Sequence, residues 1–366
     1  MIDWLNLFKE LCETPGVSGF EEEVAGIVKK NLKESLDHVE SDQMGNVFGL
    51  QSNSSTPEAP VIMIAAHMDE VGLIVKYIEK DGFLRVQRLG EPGENVLIGQ
   101  RVVVCGNKGH VVGLIGQKPV HLLSDSERRI VPHLADLYVD IGTGTRNETE
   151  ELGVEIGTTI TFDRKLCDIG RGFVTGKAID NRAGVSIMLR SAKELSKKNL
   201  ESTIYYVGTV REEVGYAGAK AAVARVEPDV VLVLDGLHAG GTPDVSEREL
   251  PLRLGLGPAI TIAGSGRGES DIFIANRKLR NHIVNIAENN GIPLQPNIGI
   301  DSGLSDAGAI HCTGKGPATS DILVVRRYSH SPIEMASLSD IENAIRLVCA
   351  LVPQIDRSFV ATLNSS

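Results

Sequence analysis

Apolar positions set two rhythms along this chain. Trp4, Leu5, Phe8 and Leu11 fall at helical spacing within residues 3–12, and Pro15-Gly16 ends that segment. Ser18 and Glu21 then form a capping-box pattern ahead of a second helix carrying Val24, Ile27, Val28 and Leu32. Strands are predicted at Val47–Leu50 and Val61–Ala66, separated by a surface loop that includes Ser52–Ser55. The second strand lacks alternation, as expected when both faces are covered.

From about residue 70 to 165 the rhythm changes to short valine- and glycine-rich runs, broken by turn signals such as Asp81-Gly82 and Asn107-Lys108-Gly109. No helix pattern stands out, so this stretch reads as a small β-rich domain inserted into a larger one. After Cys167 the pattern predicts a helix from about Ala183 to Lys197, a strand at Ile204–Thr209, a short helix at Ala217–Arg225 and a buried strand at Val230–Leu234. A strand near Ala259–Ile262, a helix at Arg277–Asn289 and strands near Leu294–Ile300 and Ile322–Val325 follow. A final helix runs from about Ser339 to Leu351, with Ser337 or Ser339 as its cap. Strands and helices alternating on both sides of an insertion imply a three-layer α/β fold with a mixed sheet.

Composition narrows the partners. The chain has 366 residues, 42% of them hydrophobic, and a formal net charge of -11 without a dense Lys/Arg tract. That length supports a large core and more than one domain, while the charge argues against nucleic acid or an acidic membrane as a partner. The five cysteines (Cys12, Cys105, Cys167, Cys312, Cys349) lie far apart with no C-x-x-C pair, which fits reduced thiols rather than a disulfide framework or zinc knuckle. The first residues carry charges and lack a signal-peptide core, and no apolar run approaches the roughly 20 residues needed to span a bilayer. The expectation is a cytoplasmic protein.

The candidate chemistry sits where apolar runs stop. Val61–Ala66 leads into His67, and Asp69 lies two positions on; in extended chain both point to one side, so Asp69 can hold a ring nitrogen of a ligating His67. A capped strand end with a solvated acidic turn explains the same residues. Asp180 precedes Asn181-Arg182 and a helix, either as a cap or as a carboxylate bridging two cations while Arg182 fixes the loop. Glu212-Glu213 follow the Tyr205–Val210 run, and adjacent carboxylates repel unless something positive offsets them; an exposed acidic turn is the plain alternative. Gly215 and Gly218 allow a tight turn after them. Asp235 ends a five-residue apolar strand, where ligands gather in open α/β sheets. His330 lies on a loop between a strand and the last helix. No single cluster decides the matter, but together they contain the ligands of a two-metal hydrolase.

Six segments carry a more specific signal: Pro15-Gly16-Val17-Ser18-Gly19, Ala66-His67-Met68-Asp69-Glu70-Val71-Gly72, Gly176-Lys177-Ala178-Ile179-Asp180-Asn181-Arg182, Glu212-Glu213-Val214-Gly215, Ser305-Asp306-Ala307-Gly308 and Arg327-Tyr328-Ser329-His330-Ser331-Pro332. In order and approximate spacing they resemble the M42 family of metallo-aminopeptidases, the tetrahedral (TET) aminopeptidases and their bacterial relatives. The resemblance implies that His67 and Asp235 hold one divalent metal, Glu213 and His330 the other, and Asp180 bridges them. It implies Glu212 as general base, Asp69 as the partner orienting His67, and Asp306 as a pocket residue. It further implies a discontinuous catalytic domain at 1–69 and 166–366, a PDZ-like or barrel-like dimerisation domain at 70–165, peptide substrates with a free N-terminus, and assembly of dimers into a dodecamer. Histidine and carboxylate ligands accept zinc, cobalt or manganese, and the P1 side-chain preference stays open.

Three other readings compete. An endoglucanase, a label carried by some relatives, needs only a carboxylate pair and leaves His67, His330 and Asp235 without a role; the chain has 4% aromatic residues and one tryptophan to offer a sugar. An M20-type carboxypeptidase or N-acyl-amino-acid deacylase shares the ligand types within different surrounding motifs. A scaffold with a vestigial metal site is the non-enzymatic option, against which the intact ligand set and Glu212 argue.

Overall fold

The computed structural model describes residues 2–52, 59–265, 272–300 and 305–363; positions 53–55 of the expected surface loop lie outside them. The chain opens with helices α1 (Ile2–Glu13) and α2 (Glu22–Lys33), both with apolar stripes facing the core. The capping-box expectation for α2 is corrected. This helix starts without a side-chain cap, because Ser18 and Glu21 bond elsewhere, to Asp69 and to the Gly19 and Arg211 amides. Strand β1 (His38–Ser41) pairs antiparallel with β2 (Val47–Ser52), and β3 (Val61–His67) follows.

Six strands next close into a barrel. In chain order these are β4 (Gly72–Ile78), β5 (Leu84–Leu89), β6 (Arg101–Gly106), β7 (Gly109–Ile115), β8 (Val139–Asp140) and β9 (Thr159–Phe162), paired in the order β4-β5-β8-β7-β6-β9. Their inward residues, among them Leu73, Val75, Val102, Val104 and Ile160, form a separate core. The short helices α3 (Glu94–Leu97) and α4 (Arg146–Glu151) are not apparent from the pattern; at four and six residues they are too short to show a helical apolar period.

The chain then returns through β10 (Cys167–Gly170), β11 (Phe173–Gly176), α5 (Ile179–Leu195), β12 (Thr203–Thr209), α6 (Ala217–Val226), β13 (Val230–His238), β14 (Ala259–Gly264), β15 (Phe273–Ile274), α7 (Arg277–Asn289), β16 (Gln295–Gly299), α8 (Asp306–Ile310), β17 (Ala318–Arg327), β18 (Glu334–Ser337), α9 (Leu338–Leu351) and α10 (Arg357–Leu363). The expected last helix, α9, is thus followed by another. Ser337 sits at its cap position but bonds to the Ser339 hydroxyl at 2.8 Å instead of to the helix amides.

A 12-stranded mixed sheet runs β1-β2-β12-β3-β13-β17-β18-β11-β10, with β14, β15 and β16 attached beside β17. Alternate residues of β3 explain the layers. Ile62, Ile64 and Ala66 pack with α1, α2, α5, α7 and α9, while Met63 and Ala65 pack with α6 and α8. Both faces of the central strands are therefore covered, which is why their sequences show no alternation. All five cysteines are unpaired, and among the described residues no helix is long and apolar enough to cross a membrane.

Candidate metal centre

Strands β12, β3, β13 and β17 are neighbours and mutually parallel. Their carboxyl ends share one edge, where open α/β sheets gather ligands. His67 closes β3 opposite Thr209, the last residue of β12. Glu212 and Glu213 lie in the turn just beyond β12, and His330 in the turn beyond β17. Asp235 does not end its strand as expected; β13 continues to His238, with Gly236 and Leu237 paired to Val324 and Val325. A carboxylate interrupts an apolar pattern without interrupting a backbone ladder. Asp180 enters from the non-helical first residues of α5 (φ -80°, ψ 108°), and the capping bond there is made by Asn181, whose Oδ1 accepts the Gly184 amide at 3.0 Å.

The predicted residues converge. His67 Nε2 lies 3.3 Å from Asp235 Oδ1, 3.4 Å from Asp180 Oδ1 and 4.0 Å from Glu212 Oε2. His330 Nε2 lies 3.4 Å from both Asp180 Oδ2 and Glu213 Oε2. Ligand atoms of His67, Asp180 and Asp235 fall within 4.8 Å of one another, as do those of Asp180, Glu213 and His330. Asp180 is common to both groups. A third combination, His67, Glu212 and Glu213, meets the same limit.

Asp69 sits behind this cluster as a fully buried acceptor. Oδ1 lies 3.3 Å from His67 Nδ1 and accepts the Glu212 amide at 3.1 Å; Oδ2 accepts the Glu213 amide at 3.1 Å and the Ser18 hydroxyl. One carboxylate thus addresses the histidine and the acidic turn together. Burial alone would raise its pKa, but His67, Ser18 and the Glu212 amide hold it below the ordinary value. The two glutamates stand in a turn rather than extended chain, and still address different imidazoles. Gly215, at φ +124°, and Gly218, where a Cβ would meet the Val210 carbonyl at 2.3 Å, permit that turn.

Several contributors carry no local signal. Glu334, in β18, accepts the Asp180 amide and the His330 amide, each at 2.9 Å. The Glu91 carbonyl lies 3.2 Å from His330 Nδ1, which leaves Nε2 facing the carboxylates. Arg326, buried at the end of β17, places Nη2 against Asp180 Oδ2; a charge closing an apolar run is the one clue to it. Arg182 donates to the carbonyls of Leu11 and Thr14 at 2.6 and 3.1 Å, and so ties α5 to the end of α1. Ala178, Arg211, Tyr328 and His330 all have positive φ, between 55° and 59°. Such residues persist only where surrounding contacts over-determine them.

The electrostatics ask for a cation. Burial opposes a charge on His67, yet Asp235 and Glu212, helped by hydrogen bonds to Asp235 and Asp69, push its pKa well above the ordinary value. Burial, reinforced by Glu213, Asp235 and Asp306, holds Glu212 well above the usual carboxylate range. Asp180 Oδ1 is buried with no hydrogen-bond partner. A histidine–carboxylate set with an unpartnered carboxylate oxygen fits divalent metals that accept nitrogen and oxygen donors. Asp306 is 1% exposed and bonds to the Thr209 hydroxyl at 2.6 Å; burial pushes its carboxyl up to about 7.

Residues 45–347 match the family model described as M42 glutamyl aminopeptidase. The chain belongs to the M42 aminopeptidase family. It is 32% identical to a lysyl aminopeptidase of Pyrococcus furiosus, over 97% of this chain and 98% of that one. Its fold is similar to that of aminopeptidase APDkam598 from Desulfurococcus kamchatkensis, with a TM-score of 0.93 at 37% identity over 100% of this chain and 98% of the other. It is also similar to the TET1 peptidase of Pyrococcus horikoshii, which can assemble into a tetrahedron or a large octahedral shell: TM-score 0.84, 29% identity, 96% and 100% coverage. This M42 chain is accordingly a peptide-bond hydrolase of a metal-dependent family, with the mixed sheet and six-stranded barrel of its structural relatives.

Proposed function

We propose that this M42 aminopeptidase removes the N-terminal residue from peptides at a dinuclear metal centre. The observation that carries the proposal is Asp180, whose two oxygens face different imidazoles and belong to two donor groups. His67 and Asp235 would hold one cation, Glu213 and His330 the other, with Asp180 between them. Zinc or cobalt suits these donors best, and manganese is also accommodated. When bound, the cations supply Lewis acidity that polarises the scissile carbonyl and acidifies a water.

The protein's own groups complete the chemistry. Glu212 takes a proton from the attacking water and returns it to the leaving amine. Asp69 fixes the His67 ring and both amides of the acidic turn. Asp306 is a candidate pocket residue, its buried carboxylate accepting the Thr209 hydroxyl. Residues 70–165, which contain the barrel, serve contacts between subunits, and dimers build a dodecamer of the kind that TET peptidases form. The protein acts in the cytoplasm on short peptides.

The test is Glu212→Gln. The variant keeps the fold and the metals and loses nearly all turnover of aminoacyl p-nitroanilides; a fully active variant removes Glu212 from its role. Chelation with EDTA abolishes wild-type activity, and turnover that survives complete metal removal contradicts the proposal. Preference for N-acetylated amino acids over p-nitroanilides would mark a deacylase instead.

A further inference from the structure

Glu21 occupies the N-cap position of α2 but does not cap it. Its carboxylate turns inward. Oε1 accepts the Gly19 amide at 2.7 Å and, 190 residues away in sequence, the Arg211 amide at 3.0 Å. The side chain is 5% exposed, and both bonds are partly buried. Arg211 has a φ of +59°, a conformation that an L-residue holds only under external constraint. The next two amides, of Glu212 and Glu213, donate to Asp69. Three consecutive backbone amides therefore face two carboxylates from other parts of the chain, while the Glu212 and Glu213 side chains reach the imidazoles.

We infer that Glu21 is a positioning residue for the Glu212–Glu213 turn, acting through the Arg211 amide; the inference rests on the roles proposed above for those two glutamates. Asp69 alone fixes the second and third amides, and Glu21 fixes where the turn begins. Without it, a partly buried donor at Arg211 loses its acceptor and the left-handed residue loses its constraint. The turn then relaxes, and both carboxylates shift relative to His67 and His330. Small displacements at such a site are costly, because proton transfer and metal ligation both depend on sub-ångström placement. Ser18 braces the same turn from the neighbouring residues through Asp69, so the loop between α1 and α2 forms the back wall of the centre.

The experiment compares Glu21→Ala, Glu21→Gln and Glu21→Asp with a control, Glu22→Ala, on an exposed neighbour. Steady-state kinetics on an aminoacyl p-nitroanilide are read beside zinc affinity by competition titration. Glu21→Ala lowers kcat by about 10- to 100-fold with KM within about threefold, and weakens zinc by about tenfold. Glu21→Gln keeps an acceptor oxygen for both amides and stays near wild type, as does Glu22→Ala. Glu21→Asp keeps the charge but falls a methylene short, and loses kcat. If Glu21→Ala does not fold, Glu21→Gln and Glu21→Asp decide. A wild-type kcat and zinc affinity in Glu21→Ala or Glu21→Asp overturns the inference, as does a Glu21→Gln loss equal to that of Glu21→Ala. A wild-type protein without peptidase activity defeats the proposed function instead, while zinc affinity still ranks the variants.

Discussion

Replacing Asp69 by asparagine tests how one carboxylate organises the centre. All four of its neighbours are donors: the Glu212 and Glu213 amides, the Ser18 hydroxyl, and His67 Nδ1–H when Nε2 faces the metals. A carboxylate can accept all four. Asparagine must point its NH2 at one pair. In one orientation it faces the Glu212 amide, in the other the Glu213 amide; neither amide can become an acceptor. Ser18 can rotate and His67 can change tautomer, but the second change turns a hydrogen toward the metal side. One buried backbone donor is therefore left unsatisfied, at a cost of about 1–3 kcal/mol, and the histidine loses its orienting partner, which costs about 10- to 100-fold in activity or metal affinity. Because the Asp69 pKa is depressed in the folded chain, its stabilising contribution is present above the unfolded carboxyl pKa and fades as pH falls through the folded value; the asparagine variant lacks that dependence. Urea unfolding, p-nitroanilide turnover and zinc titration read these effects. An Asp69→Asn protein matching wild type in all three would refute the argument.

Three further outcomes follow from the same structure. Arg326→Met removes a buried guanidinium from Asp180, so calorimetric titration shows the weaker-binding metal tightening by about tenfold; unchanged affinity means the charge is not felt there. Lys177→Met removes the 2.7 Å partner of buried Glu70, which also ties the Gly16 amide to Thr161 of β9; with the Arg182 guanidinium still 3.6 Å from Glu70, urea unfolding shows a loss of about 1–3 kcal/mol, and unchanged stability contradicts that role. Burial pushes the Asp321 carboxyl from 3.8 to about 6. Its raised folded pKa contributes stability below the unfolded value that is lost as pH climbs through 6. Asp321→Asn, which keeps an acceptor for the Thr261 amide, therefore gains up to about 3 kcal/mol on wild type between pH 4 and 7, and a pH-independent difference rules this out.

Much of the fold is visible in the chain because burial writes itself into local pattern. Strands β3 and β12 announce their ends, since apolar runs stop where side chains meet solvent or ligand, and α7 matches its amphipathic period from Arg277 to Asn289. The pattern cuts β13 short at Asp235 because side-chain polarity cannot report a backbone ladder. Strands β10 and β11, four residues each, are too short to show alternation. The residues proposed as ligands are legible as His, Asp and Glu placed where apolar runs stop or break. Their supports are not: Ser18 and Glu21 look like a helix cap, and Glu334 like an ordinary strand residue, because each acts on backbone far away in sequence. Local pattern favours the nearest amides, and only the folded chain shows that the distant ones win.

The central claim is that two cations share Asp180. Anomalous diffraction from crystals of zinc-loaded protein tests it directly. Two peaks are expected, one among His67, Asp180 and Asp235 and one among Asp180, Glu213 and His330. A single peak, or peaks away from Asp180, contradicts it.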